Sequence, residues 1–319
     1  MELTEIKILS EKIKENISRV IVGKSETIDL ILTSLFCSGH ILLEDVPGTG
    51  KTVLAKCLAR SINCDFKRIQ FTPDLLPSDL TGINYYNQKQ GEFVFRPGPL
   101  FSNIIVADEI NRATPRTQSS LLECMEEHQV TIDGETHGLG SPFLVIATQN
   151  PVETQGTFPL PEAQLDRFFL RLKMGYPTQE EGRKILDRFQ NENPMEETGV
   201  VAEAREIIDA QQSFSRVKIG DDVKEYMIRM IEATRKHEKI ALGVSPRGSL
   251  ALLRAARAYA VLKGYDFVTP DHVKSVAIPV LAHRIVLRAH ALGSSTDAAE
   301  AMIKEILDRV EVPKEIIEN

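Results

Sequence analysis

The sequence lacks any long apolar run. Although 42% of its residues are hydrophobic, no segment approaches the roughly 20 consecutive apolar residues that a membrane-spanning helix needs. Residues 1–7 also lack the basic stretch, followed by an apolar stretch, that is typical of a secretory signal peptide. We therefore expect a cytoplasmic protein that does not insert into a membrane.

Cysteine is scarce as well. The four cysteines, Cys37, Cys57, Cys64 and Cys124, form no Cys-x-x-Cys pair. Scattered cysteines are typical of reduced, partly buried thiols in a cytoplasmic protein. Metal ligation by Cys57 and Cys64 is the alternative, and no other feature of the sequence supports it.

Positive charge is not in excess. The chain has 38 lysines and arginines against 45 aspartates and glutamates, a formal net charge of −7. General nucleic-acid-binding proteins are usually basic, so we do not expect a nucleic-acid partner, although a small basic groove stays compatible with this balance. With 319 residues, the chain is long enough for two domains, or for one large α/β domain with an appendage.

Short apolar runs alternate with helical patterns in the first half of the chain. Residues 1–39 are predicted to form two amphipathic helices separated by Gly23. Five apolar runs without period-2 alternation are predicted as strands: Ile41–Leu43, Phe66–Phe71, Asn103–Ala107, Phe143–Ala147 and Phe168–Leu172. Apolar strands separated by helices are typical of a parallel sheet covered on both faces. The sequence therefore predicts an α/β fold with a five-stranded parallel sheet.

The periodicity is purely helical after Pro177. Thr269 before Pro270 predicts the start of one helix, and Thr178 with Glu181 fits the capping box of another. We predict an α/β domain at residues 1–176 and an all-helical domain at 177–319.

The most specific motif is the glycine-rich loop at residues 45–52, Asp-Val-Pro-Gly-Thr-Gly-Lys-Thr. In the pattern G-x-x-x-x-G-K-[ST], backbone N–H groups converge on phosphate oxygens, the lysine reaches the β- and γ-phosphates, and the hydroxyl ligates Mg²⁺. Asp45 stands where the pattern begins with glycine, at the end of the preceding strand, where a side chain can be accommodated. A strand before the loop and a helix after it favour a phosphate site over a turn that binds nothing. The predicted nucleotide-binding residues are Pro47, Gly48, Thr49, Gly50, Lys51, Thr52 and Val53, and Thr52 is also a predicted Mg²⁺ ligand.

An acidic pair follows the third predicted strand. Asp108 and Glu109 come directly after four apolar residues. Asp108 is predicted to hold Mg²⁺ and its water shell, and Glu109 to polarise the attacking water of an ATP hydrolysis reaction. The alternative is a solvated turn between a strand and a helix. A position one strand beyond the phosphate loop favours the catalytic interpretation.

A third candidate, Asn150, follows the strand Phe143–Ala147. An amide at that strand end can orient the same water against Glu109. A turn-forming asparagine before Pro151 is an equally good interpretation of the residues alone.

Five segments resemble, in order, the motifs of AAA+ ATPases of the MoxR family. Residues 43–52 resemble the Walker A motif, 107–113 the Walker B motif, 146–151 sensor 1, 160–168 the segment with the arginine finger, and 243–248 sensor 2. The resemblance covers essentially the whole chain. It implies a P-loop NTPase core followed by a helical lid, and a ring, usually a hexamer, that holds Mg²⁺ and ATP between neighbouring subunits.

The resemblance also implies roles for residues outside the loop. Arg167 would point at the γ-phosphate of the adjacent subunit's nucleotide, where a rigid, permanently charged guanidinium suits developing phosphate charge. Arg247 would contact phosphate within its own subunit. Val22 and Gly23 resemble the stretch that lines the adenine pocket. A surface ion pair of Arg167 with Asp166, an exposed arginine at a helix start, and a glycine between helices are the respective alternatives.

Two further segments are predicted as β-hairpins that resemble insertions of the same branch of AAA+ proteins. One lies near residues 82–96 and the other near 129–137, around Asp-Gly. Such hairpins can face the pore of a ring. Four aromatic residues of the first hairpin are candidates for substrate contact, with packing onto their own domain as the favoured alternative: Tyr85, Tyr86, Phe93 and Phe95. Arg112 and Arg116 are open alternatives to Arg167 at a subunit interface.

Three functions are compatible with these residues. The first, implied by the resemblance, is a chaperone-like ATPase that remodels client proteins or helps load their metal or cofactor, with a partner that contains a von Willebrand factor A domain. The second is a nucleic-acid motor, which the acidic balance disfavours. The basic segment around His283–His290 is interpreted as a solvated helix face. The third is a nucleotide-gated scaffold with negligible turnover, which the presence of Glu109 and Arg167 disfavours.

Overall fold

Strands and helices alternate along the first half of the chain and helices dominate the second. A computed structural model describes residues 1–44, 48–150, 156–190, 194–288 and 296–313. The strands are β1 (Ile41–Glu44), β2 (Phe66–Gln70), β3 (Gly82–Asn87), β4 (Glu92–Pro97), β5 (Ile104–Asp108), β6 (Gln129–Ile132), β7 (Glu135–Gly138), β8 (Leu144–Gln149), β9 (Leu170–Leu172), β10 (Ile240–Leu242) and β11 (Val286–Leu287). The helices are α1 (Leu3–Ser18), α2 (Ser25–Phe36), α3 (Lys51–Ser61), α4 (Pro77–Thr81), α5 (Pro115–Glu127), α6 (Glu162–Leu165), α7 (Gln179–Phe189), α8 (Ala204–Ser213), α9 (Asp221–Lys236), α10 (Pro246–Leu262), α11 (Pro270–Leu281) and α12 (Thr296–Arg309).

Five parallel strands form the central sheet, in the order β2-β5-β8-β1-β9. They coincide with the five apolar runs, so the prediction of a five-stranded parallel sheet is confirmed. The inner strands β1, β5 and β8 are buried almost throughout. At the edge, β2 buries Ile69 and exposes Lys67, Arg68 and Gln70. An edge position therefore leaves β2 free to carry polar side chains.

The two faces of the sheet belong to two hydrophobic cores. Successive side chains of a strand point to opposite faces. In β5, Ile104 and Val106 join a core with α1, α2 and α3, whereas Ile105 and Ala107 join a core with α4 and α5. Helices thus cover both faces, which explains why these strands show no alternation of apolar and polar residues.

The parallel direction of the strands places their carboxyl ends at one edge of the sheet. Glu44 at the end of β1 pairs in register with Gln149 of β8, and Gln70 of β2 pairs with Asp108 of β5. The segments that follow β1, β5 and β8 are therefore neighbours in space. Ligand sites of parallel α/β sheets form at this edge.

Helices α7 to α12 follow the sheet, together with the short antiparallel pair β10–β11. Helix α10 lies among them and packs against α11, α9, α1 and α2, while α2 also packs against α8. The buried carboxylate of Asp29 in α2 forms ion pairs with Lys14 of α1 (2.6 Å) and with Lys263, the residue that follows α10 (2.7 Å). The prediction of an α/β core followed by a helical lid is confirmed. The boundary near residue 177, between 1–176 and 177–319, stays a prediction.

The interpretation of the basic segment around His283 as a solvated helix face is wrong where the structure describes it. Helix α11 ends at Leu281, and Ala282–Arg284 form a 3₁₀ turn. His283 and Arg284 are both buried. Arg284 is buried because carbonyl and carboxylate oxygens of the segment from Asp166 to Phe169 surround its guanidinium. His290 lies outside the described residues.

Antiparallel hairpins lie at both places where the sequence predicts them. β3 pairs with β4 and β6 with β7. The two hairpins contact each other, since Asn84 Nδ2 donates to Asp133 Oδ2 at 2.9 Å, and the rings of Phe95 and His137 stack at 4.3 Å.

The four cysteines are free thiols, three of them buried and Cys64 half-buried. Burial raises the pKa of Cys37 to about 12 and the pKa values of Cys57 and Cys64 to about 11. These thiols therefore stay protonated at neutral pH. Within the described ranges, no group of three histidine, cysteine, aspartate or glutamate side chains is placed to hold a metal ion.

In the parts of the chain that the structure describes, no helix is both long enough and apolar enough to cross a bilayer.

Candidate nucleotide-binding site

The glycine-rich loop leads from β1 into the first turn of α3. Gly48 and Gly50 adopt left-handed φ values of 85° and 87°, and a Cβ on either would meet no atom within 4 Å. The backbone conformation, and not crowding, is therefore what favours glycine at these two positions. Lys51 and Thr52 begin α3, so the positive end of the helix dipole faces the open space beside the loop. Asp45 and Pro47 lie outside the described residues.

A cavity of about 420 Å³ opens at this loop. Its lining combines nine predicted site residues with three others: Gly48, Thr49, Gly50, Lys51, Thr52, Val53, Asp108, Glu109 and Asn150, with Arg68, Gln70 and Thr148. The structure thus brings the loop, the acidic pair and the end of β8 together. The segments after β1, β5 and β8 supply these groups because the three strands are parallel neighbours.

Both oxygens of Asp108 accept hydrogen bonds. Thr148 Oγ1 donates to Oδ1 at 2.5 Å, and Arg68 donates to Oδ2 from Nε at 3.0 Å and from Nη2 at 2.6 Å. The carboxylate is therefore fixed in direction. It lies opposite the hydroxyl-bearing start of α3 within the same cavity. Oxygen donors such as Thr52 and Asp108 suit Mg²⁺, which is usually held by few protein ligands together with waters and substrate phosphates.

Glu109 has a strained backbone conformation. Its φ of 56° and ψ of 50° are left-handed, which is uncommon for a residue other than glycine and clusters at functional sites. Its N–H donates to Thr148 Oγ1 at 2.9 Å, so one buried hydroxyl orients both acidic residues. Its carboxylate accepts from Gln70 Nε2 at 2.8 Å and pairs with Arg112 Nε at 3.1 Å.

Sequence reasoning missed Arg68, Gln70 and Thr148. A signal exists for each, because Arg68 and Gln70 are polar residues within the run Phe66–Phe71 predicted as a strand, and Thr148 directly follows the run Phe143–Ala147. What the sequence does not show is that β2 is the edge strand beside β5, which brings Arg68 and Gln70 to the cavity.

Arg167 and Arg247 lie together at a different place. Both form ion pairs with one carboxylate, that of Glu126 near the end of α5: Arg167 Nε to Oε2 at 3.3 Å and Arg247 Nη2 to Oε1 at 3.0 Å. Neither arginine is among the residues that line the cavity. The contact of Arg247 with a phosphate of its own subunit therefore stays a prediction. The ion pair that Arg167 forms is with Glu126, where the alternative interpretation of the sequence expects Asp166.

The position of Arg247 is explained by contacts between the start of α10 and the segment 160–168, which carries Arg167 and is called the finger segment below. Ser245 caps α10 by accepting from the Gly248 N–H at 3.2 Å, and its hydroxyl donates to Asp166 Oδ2 at 3.4 Å. The start of α10, which carries Arg247, is thereby held beside the residue that precedes Arg167.

Val22 and Gly23 lie in the segment between α1 and α2 and are not among the lining residues of the cavity. Val22 is buried, and Gly23 faces the carboxylate of Glu181, which a Cβ on Gly23 would approach to 1.8 Å. Their role in an adenine pocket stays a prediction.

The four hairpin aromatics divide into two kinds. Phe95 packs against His137 and, at 5.4 Å, against Phe101, as the packing interpretation predicts. Tyr85, Tyr86 and Phe93 are 43%, 54% and 73% exposed, so contact with a substrate stays a prediction for these three.

Comparisons with known proteins point to one family. Residues 40–170 match a model described as the ATPase family associated with various cellular activities (AAA), and residues 232–306 match one described as the AAA lid domain. A Bacillus subtilis protein, YeaC, of uncharacterised function, is 51% identical over 95% of this chain and 94% of its own length. Chaperone MoxR1 of Mycobacterium tuberculosis is 40% identical over 97% of this chain and 84% of its own length.

A solved structure agrees with these matches. The crystal structure of a candidate ATPase from Cytophaga hutchinsonii superposes with a TM-score of 0.89 at 39% identity, over 98% of this chain and 97% of that one. The motifs, the fold, the two matching models and these relatives lead to one conclusion: this chain belongs to the MoxR family of AAA+ ATPases.

Proposed function

We propose that this chain binds ATP with Mg²⁺ in the cavity beside its phosphate loop and hydrolyses it. The observation that carries the proposal is the meeting of Lys51 and Thr52 with Asp108 and Glu109 in one cavity at the carboxyl edge of the sheet. ATPase activity is a property of the family. The assignment of individual roles to these residues is our own.

The chain's groups divide the work of the reaction. Backbone N–H groups of residues 48–52 and the ammonium of Lys51 hold the phosphates, and Thr52 and Asp108 hold the metal ion. When bound, Mg²⁺ neutralises charge that develops on the phosphate oxygens. Glu109 accepts a hydrogen bond from the attacking water and takes its proton, and Asn150 orients that water from the end of β8.

The second part of the site comes from a neighbouring subunit of a ring, which we propose to be a hexamer. Arg167 and Arg247 share Glu126 away from the cavity of their own chain. Placed against the next subunit, their guanidinium groups stabilise the charge on its transferred phosphate. Both arginines therefore act across the interface, and Arg112, which pairs with Glu109, acts within its own subunit.

The energy of hydrolysis drives chaperone-like remodelling of client proteins, or the loading of their metal or cofactor, in the cytoplasm. A relative of this chain carries the name chaperone, which supports this part of the proposal. The exposed Tyr85, Tyr86 and Phe93 at the end of the β3–β4 hairpin are suited to contact extended client segments, and a partner with a von Willebrand factor A domain brings clients to the ring.

Glu109→Gln is the decisive variant. The amide keeps the size of the side chain but cannot accept the proton, so we expect single-turnover ATP hydrolysis to fall by roughly 10²–10⁴-fold while nucleotide still binds. Glu127→Gln, the same change at an exposed position of α5, is the matched control and keeps the wild-type rate. Equal rates for Glu109→Gln and wild type would contradict the mechanism.

Lys51→Ala tests the binding step separately. The loss of the phosphate-contacting ammonium should abolish measurable binding of a fluorescent ATP analogue. Retained affinity in this variant would count against the loop as the nucleotide site.

The Glu109→Gln variant, which holds nucleotide without turnover, is also the form in which a client is best trapped for identification.

A further inference from the structure

Arg68 reaches from the edge strand β2 into the nucleotide cavity. Its guanidinium donates twice to Asp108 Oδ2, from Nε at 3.0 Å and from Nη2 at 2.6 Å, and Nη2 also donates to Gln70 Oε1 at 2.6 Å. The strand register explains the reach, since Gln70 pairs with Asp108 and Arg68 with Val106. A cation of the chain therefore lies on one of the two carboxylates that face the phosphate loop.

The contact is poorly explained as a stabilising ion pair. The Arg68 side chain is 46% exposed, and ion pairs at this level of exposure contribute little to folding. The negative charge of two adjacent carboxylates in the cavity explains the contact of Arg68 with Asp108 better. Asp108 and Glu109 are adjacent carboxylates with 18% and 28% of their side chains exposed. Arg68 neutralises the first and Arg112 the second.

A metal ion and Arg68 compete for the same oxygen. Oδ1 of Asp108 is taken by Thr148, and Oδ2 is the oxygen that Arg68 holds from the cavity side. A divalent ion and a guanidinium at one carboxylate oxygen repel each other strongly, because their separation is only a few ångströms in a partly desolvated site. Both cannot keep this contact.

We propose that the guanidinium of Arg68 occupies Oδ2 of Asp108, the oxygen that faces the metal site, until Mg²⁺ binds. Binding of Mg²⁺ then displaces Arg68 from this oxygen. The proposal rests on the proposed function, because it concerns the same metal and nucleotide. In the metal-free state, Arg68 lowers the repulsion between the acidic pair and the triphosphate. In the loaded state, it lines the same cavity as a cation that the triphosphate attracts.

The exchange makes two predictions of opposite sign for Arg68→Gln. Without the guanidinium, the uncompensated carboxylates repel a metal-free triphosphate, so a fluorescent ATP analogue in excess EDTA should bind more weakly. Mg²⁺ no longer has to displace a cation, so the Mg²⁺ concentration at half-maximal response of the bound analogue should fall by roughly three- to tenfold. A residue that merely shapes the site would shift both quantities in the same direction.

Two further variants complete the experiment. Arg68→Lys keeps the charge and should keep the Mg²⁺ midpoint close to the wild-type value. Lys67→Gln makes the same charge change at the neighbouring exposed residue of β2, whose side chain points to the other face of the sheet, and should change neither quantity.

The outcomes separate this inference from the function on which it rests. If Arg68→Gln leaves the midpoint unchanged or raises it while wild type binds the analogue normally, the exchange is wrong and the ATP site stands. If wild type does not bind the analogue with or without Mg²⁺, the proposed function itself fails.

Discussion

Two fully buried histidines, His40 and His283, are held neutral inside the molecule. His40 accepts the Val145 N–H at Nδ1 (3.0 Å), so its proton lies on Nε2, which donates to the Met125 carbonyl at 2.9 Å. Burial lowers the pKa of His40 from 6.5 to about 3. Burial and the nearby Arg284 and Arg171 lower the pKa of His283 well below 6.5. Both rings are therefore uncharged across the physiological range.

These histidines predict a loss of stability in mild acid. Below pH 6.5 these histidines bind protons in the unfolded chain but not in the folded chain. The free energy of unfolding therefore falls as the pH falls. At about pH 5 the effect is about 2 kcal/mol for His40, and His283 acts in the same direction. Urea unfolding at about pH 7 and pH 5 should therefore show a drop in wild type that is about 2 kcal/mol smaller in His40→Gln. Above pH 7 the two histidines contribute no pH dependence, and an equal acid sensitivity of both proteins would contradict the assignment.

At the scale of elements, one 3₁₀ turn joins the helical lid to the segment that carries Arg167. Arg284 donates from Nη1 to the Asp166 carbonyl at 2.9 Å and from Nη2 to the Phe168 carbonyl at 2.6 Å, and it also pairs with the Asp166 carboxylate. Its Nε donates to the Val280 carbonyl within the lid. Arg284 is therefore a positioning residue for the finger segment.

Arg284→Ala should destabilise the protein strongly. The substitution removes the buried guanidinium that donates to several carbonyls and to the Asp166 carboxylate, and the removal of one partner of a buried pair costs about 3–5 kcal/mol. Chemical denaturation measures the difference. Arg288→Ala, at an exposed arginine four residues later, is the control and should stay within about 0.5 kcal/mol of wild type. A loss of similar size in both variants would show that the buried contacts of Arg284 are not what matters.

How far the sequence predicts these elements depends on the range of the interactions involved. The inner strands were predictable because burial on both faces leaves continuous apolar runs, as in Ile104–Ala107. The phosphate loop and the acidic pair were predictable because each is a local pattern. Arg284 and His283 were misinterpreted because a short basic segment looks the same whether solvent or distant carbonyl groups surround it.

Positions set by contacts between distant elements cannot be predicted from the sequence for the same reason. Arg68 enters the cavity because β2 pairs with β5, and Arg247 joins Arg167 because α10 is anchored at Asp166. Both relations join residues that are distant along the chain. No local periodicity or motif spacing encodes them.

At the scale of the whole molecule, the pair of arginines on Glu126, Arg167 and Arg247, lies apart from the cavity of its own chain. A head-to-tail ring would unite them, because each subunit then offers its cavity to one neighbour and its arginines to the other. This geometry predicts that two inactive variants complement each other when mixed.

Mixing Lys51→Ala with Arg167→Ala tests that geometry. In mixed rings, an Arg167→Ala subunit binds nucleotide and a Lys51→Ala neighbour supplies the arginine, so equal amounts should restore up to about a quarter of the wild-type ATPase rate for random assembly. Lys51→Ala mixed with Glu109→Gln should stay inactive, since both defects lie on the nucleotide side. Mixed oligomers that form but show no recovery would contradict the role of Arg167 across the interface.

The shared carboxylate of Glu126 has a consequence for how affinity is measured. If a neighbour's nucleotide draws Arg167 and Arg247 away from Glu126, nucleotide binding and subunit association are linked equilibria, and each strengthens the other by the same free energy. The apparent dissociation constant for ATP then depends on the protein concentration as well as on the residues of the cavity. Dilution alone would weaken binding, with every residue around the phosphate loop unchanged.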